Sequence, residues 1–153
     1  MDRLRGYENV DHVLGVLVEM HERLGEVIGE LAGRAGGERD RMALRYLAEH
    51  QSGRAAALAD YRRDADPTLL KQWLQIPFPE EPGDLIDALG SRGDDASVES
   101  LVTEIDGFMD RLLHHLRDRA ETDNARALFR DLLDIEDRER HSRSRALASF
   151  AQI

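Results

Sequence analysis

Four side chains of this 153-residue chain could do chemistry from within a helical core: His21, His50, Glu136 and Glu139. Two imidazoles and two carboxylates suit Fe, Mn or Zn. Their positions single them out. On a helical wheel at about 100° per residue, His21 is the polar intruder on an apolar face with Leu17, Leu24 and Ile28. His50 and Arg54 fall between Leu47 and Leu58, while Glu49 turns outward. Glu136, Glu139, Arg140 and Arg143 fall between Leu132 and Phe150, with His141 on the outer side. Counted from the nearest turn, His21, His50 and Glu136 each lie about four turns along their helices. Three helices therefore bring an imidazole or carboxylate to one level. The fourth offers Phe108 and Met109 there, with no polar residue on its apolar stripe.

Such groups are costly to bury unless they are paired or bind something. One arrangement is a mononuclear or remnant metal site built from His21, His50, Glu136 and Glu139. The other is an internal ion-pair network in which Glu136 and Glu139 meet Arg54 and Arg143 and both histidines are hydrogen-bonded. Two acids against two arginines cancel, which favours the network. Other chemistry has less support. His114 and His115 are adjacent, so on a helix they diverge and His114 faces solvent. The chain has no cysteine, which excludes disulfides, thiolate metal sites and cysteine nucleophiles. No glycine-rich phosphate loop follows a strand, and no Ser/His/Asp set has a recognisable context.

Helices must position these residues. Helical spacing of Val10, Val13, Leu14, Leu17, Leu24, Val27, Ile28 and Leu31 predicts a first helix over about 7–35, ended by Gly36-Gly37. A second spans about 38–63 and stops at Asp66-Pro67. A third starts near Ala96-Ser97 and runs to about 120, with Ser97 as its cap and Val98, Leu101, Ile105, Met109, Leu112 and Leu116 as its stripe. A fourth covers about 122–151. Short turns join the first two helices and the last two, so each pair should form an antiparallel hairpin. Residues 65–97 lie between the hairpins, rich in Pro, Gly and Asp, with short helices expected at Leu69–Leu74 and Asp84–Leu89. This linker can span a helix of roughly 39 Å. A short–long–short pattern of connections belongs to a bundle with one full-length crossover.

Composition agrees with one all-α domain over 1–153. Hydrophobic residues make up 41%, charged residues 34% and aromatics 5%, as in long amphipathic helices. The net charge of −10, with arginines alternating with acids and Lys71 as the only lysine, argues against a nucleic-acid binder. No apolar run approaches the length of a membrane span, and Met1-Asp2-Arg3 does not begin a signal peptide, so no membrane association and a cytoplasmic location are expected. Trp73 and Ile76–Pro82 could form a loop that binds a protein partner, or a cover over the bundle's own apolar edge.

With two hairpins, one crossover and polar residues at mid-bundle, the chain resembles the ferritin-like superfamily, and rubrerythrin-type or bacterioferritin-type domains in particular. LLDIEDRERHSRSRAL (132–147) is similar to a fourth helix of that family and YLAEHQSGRAAAL (46–58) to a second. The resemblance implies a ferritin-like four-helix bundle, a homodimer, and a family motif of two iron or manganese ions held by a Glu from each of two helices and a Glu-x-x-His from each of the other two. Here that motif is eroded. Glu136 is followed three residues on by Glu139, Glu49 by Ser52, and His21 stands where the family supplies Glu. The expected role is structural or interactive, with metal-dependent oxidation or iron handling at a remnant site as the alternative.

Overall fold

A computed structural model describes residues 1–92 and 97–152. Four long helices account for most of it: α1 (Val10–Arg34), α2 (Glu38–Asp64), α5 (Val98–Arg119) and α6 (Asp123–Phe150). Each of three starts is fixed by a side chain that accepts an otherwise orphaned backbone N–H. Asn9 accepts from His12 N at the head of α1, Ser97 from Ser100 N at α5 and Thr122 from Ala125 N at α6. Ala96, at the expected start of the third helix, lies outside the described residues. Gly36-Gly37 and residues 120–122 make the two tight turns, so α1–α2 and α5–α6 are hairpins.

The crossover contains α3 (Pro67–Leu70), a strand β2 (Trp73–Gln75) and α4 (Pro82–Gly90). β2 pairs antiparallel with β1 (Tyr7–Asn9), Tyr7 opposite Gln75 and Asn9 opposite Trp73. Two expectations from periodicity give way here. Tyr7–Asn9 is extended, because Asn9 takes the β conformation of an N-cap (φ −85°, ψ 162°) and starts α1 one residue later. The short helix expected over Leu69–Leu74 stops at Leu70, and its last residues join the ribbon instead.

Helix α1 is the central element. Val10, Val13, Leu14, Met20, Leu24 and Ile28 are fully buried. It packs closely on α2 at Gly25, where an added Cβ would stand 2.9 Å from Ser52 Oγ and 3.2 Å from the Ala48 carbonyl oxygen. The crossover covers the bundle with Leu74, Ile76, Phe78, Ile86 and Leu89, all buried. Phe78 meets Phe108 edge-on with ring centres 5.9 Å apart, and His115 Nε2 donates to the Ile76 carbonyl at 2.9 Å. His115 therefore ties the crossover down, while His114 faces solvent beside Asp110. No helix among the described residues is long and apolar enough to cross a membrane.

Candidate functional site

The polar residues at mid-bundle come from all four long helices: His21 from α1; His50, Gln51 and Arg54 from α2; Asp106 from α5; and Glu136, Glu139, Arg140 and Arg143 from α6. The helical repeat assembles them. His50 and Arg54 are one turn apart, and Glu136, Glu139, Arg140 and Arg143 follow the i, i+3, i+4, i+7 pattern that aligns one face. Glu136 and Arg143 replace apolar residues on that face and are buried with it.

At the centre Arg54 Nη2 donates to Glu136 Oε1 at 2.8 Å, with the two side chains only 10% and 7% exposed. One turn away His50 Nε2 donates to Glu139 Oε2 at 2.7 Å. Beyond that, the Tyr46 and Phe150 rings lie 6.0 Å apart. These three contacts all join α2 to α6 and form the seam between the hairpins. Within the second hairpin, Arg143 donates to Asp106 Oδ2, and Arg140 lies 3.9 Å from Asp106 and 3.5 Å from Asp110. Within the first, His21 Nδ1 donates to Gln51 Oε1 at 2.6 Å, which leaves the lone pair of the neutral ring on Nε2.

Two titrations within this cluster are displaced. Burial holds the His21 imidazole below its ordinary value of 6.5, against weaker upward pulls from the Gln51 hydrogen bond and the Glu136 charge, so it stays neutral. Burial raises the Asp106 carboxyl above 3.8, and the Arg143 and Arg140 guanidiniums only partly offset this. Asp106 remains an acceptor because Arg143 is hydrogen-bonded to it.

The six residues that the sequence singles out are thus distributed over several contacts. Arg54 and Glu136 meet each other. Glu139 meets His50 and not a guanidinium, and Arg143 turns to Asp106 and not to a glutamate. His21 pairs with Gln51. Asp106 and Gln51 complete the network. Gln51 lies four residues after Leu47 and seven before Leu58, which places it on the apolar face. Asp106 lies three and seven residues before the buried Met109 and Leu113, so the α5 face is wider than its main stripe and admits a carboxylate.

A family-type di-metal centre needs about six donors, and these residues do not fit one. Each carboxylate at mid-bundle already accepts from a cationic or imidazole donor: Glu136 from Arg54, Glu139 from His50 and Asp106 from Arg143. Among the described residues no three His, Asp or Glu side chains converge where they could hold one ion.

No family model matches the sequence, and no curated protein matches it. The structure is similar to the crystal structure of a Thermotoga maritima protein described as a "putative ferritin-like diiron-carboxylate protein". The TM-score is 0.57 at 13% identity, over 97% of this chain and 98% of that one. The likeness extends along both chains and shows the fold: this protein is an all-α bundle with ferritin-like architecture.

Proposed function

We propose that this protein is a non-catalytic member of the ferritin-like group, a structural or interaction module whose mid-bundle metal site has been replaced by an ion-pair network. The carrying observation is the Arg54–Glu136 pair, buried at 2.8 Å across the hairpin seam. A guanidinium in that position neutralises the carboxylate that a metal would need and joins the hairpins without one. The further pairs of His50 with Glu139 and of Arg143 with Asp106 support the same reading. A homodimer in the cytoplasm is part of the proposal, and sedimentation giving a monomer at high concentration would remove the dimer.

A second reading rests on one specific observation. His21 Nε2 and His50 Nδ1 are buried with no hydrogen-bond partner among the described residues, while the other nitrogen of each ring is bonded to an oxygen. That is how a metal-ligating histidine is oriented, and the two lone pairs could serve a single Fe, Mn or Zn ion. Thermal melts separate the two readings. An ion at a hundred times its dissociation constant stabilises the native state by about 2.7 kcal/mol. The scaffold reading expects the same melting temperature with Fe(II), Mn(II), Zn(II) or a chelator, and a metal-dependent rise supports the second.

A further inference from the structure

The β1–β2 ribbon has one face against the bundle and one in water. Leu74 is buried on the inner side, opposite Glu8. Residues opposite one another in a ladder share a face, so Tyr7, Asn9, Trp73 and Gln75 lie on the outer side. Tyr7 and Trp73 are diagonal neighbours there, within reach of one another, and are 60% and 57% exposed. With Tyr61 they are the exposed large hydrophobics among the described residues. Tyrosine and tryptophan exposed on one outer face are the usual anchors of a recognition surface.

Cations flank this face. Arg3 and Arg5 lead into β1, with side chains 58% and 62% exposed, and Lys71 leads into β2 and is also exposed. Glu81 reaches the two arginines only at 4.0 and 3.9 Å. The rim therefore favours an acidic occupant. A second copy docked face to face would bring two cationic rims together. An anionic bilayer or nucleic acid is an extended surface and meets the field of the whole −10 molecule. A short segment responds to charges within a Debye length, about 8 Å at physiological salt.

We propose that the outer face of the β1–β2 ribbon docks an extended acidic segment of another protein, with an apolar side chain against Tyr7 and Trp73 and carboxylates on Arg3, Arg5 and Lys71. This names a partner class for the interaction module and rests on that reading. The metal melts test the reading itself and do not involve the ribbon, so the two failures are distinguishable.

Trp73 is the only tryptophan and reports directly on its own face. The probe is a synthetic eight-residue peptide alternating Glu and Leu, with a Lys–Leu counterpart as control. Expected is a saturable blue shift of Trp73 emission with the Glu–Leu peptide alone, and weaker binding as salt rises. Tyr7→Ser and Arg5→Glu should each weaken binding by about tenfold. Both residues are exposed, so unchanged far-UV circular dichroism should confirm that the variants fold. No shift, an equal shift with the Lys–Leu peptide, or a shift with phosphatidylserine vesicles in place of the peptide overturns the proposal. A shift of the protein alone with its own concentration overturns it in favour of self-association.

Discussion

Removing Glu136 should cost far more than removing an ordinary ion-pair partner, and the reason lies in what stays behind. Glu136→Ala leaves the Arg54 guanidinium in a site where it was about nine-tenths buried. At 4 Å between charges the pair's attraction is about 4 kcal/mol for an effective dielectric near 20. The stranded cation cannot regain its hydration without opening the seam. Together these place the loss at about 3–5 kcal/mol, the usual cost of breaking a buried pair. For a domain of this size that is a large share of total stability and lowers the melting temperature by roughly 10 °C. The double variant Arg54→Met/Glu136→Met removes both charges and restores apolar volume, so it should recover most of the loss. Urea denaturation of the wild type, both single variants and the double variant gives the coupling energy. A loss under about 1 kcal/mol for Glu136→Ala, or a double variant as unstable as the two losses added, would refute the buried-pair argument.

Four further outcomes follow from the same geometry. The unfolded chain takes up a proton at His21 near pH 6.5 while the buried ring stays neutral. Its contribution is therefore present above that pH and lost as pH falls below it. His21→Gln should flatten that part of the stability–pH profile in urea titrations. Gln51→Leu removes the acceptor of a fully buried N–H and should cost about 1–3 kcal/mol by thermal or urea unfolding. By contrast Asp11→Asn breaks the Arg62 pair, whose side chains are 44% and 39% exposed, and should cost less than about 1 kcal/mol in the same assay. Phe78→Ala empties the contact with Phe108 and should cost about 3 kcal/mol, with faster amide exchange over residues 76–89.

The long helices are legible in the sequence because each carries enough turns for a 3.6-residue period to repeat, and because Gly36-Gly37 and Asp66-Pro67 punctuate it. The ribbon is not, for a physical reason. Three residues are too few for an alternation signal, and β1 and β2 are partners only because the crossover returns to the start of α1. The level at which His21, His50, Arg54 and Glu136 lie could be counted from the turns. Their partners could not, since which carboxylate a guanidinium reaches depends on how two hairpins pack. Asp106 sits at the edge of the α5 stripe, where a wheel centred on Ile105 and Leu112 passes over it. Gln51 is on the apolar face but uncharged, so neither charge nor metal-ligating chemistry marks it in the sequence.

Holding the two hairpins together with guanidinium–carboxylate and imidazole–carboxylate contacts has a consequence for the bundle. Such contacts are directional and each joins one position of α2 to one of α6. On the proposed reading the ferritin-like architecture needs no bound ion for its cross-link. Elemental analysis tests that claim most directly. The protein is purified without chelators or a metal-binding tag, incubated with Fe(II), Mn(II) or Zn(II), and desalted. The network account predicts that no stoichiometric metal is retained by the wild type or by Glu136→Ala. One or two ions held per chain, and lost in Glu136→Ala, would contradict it.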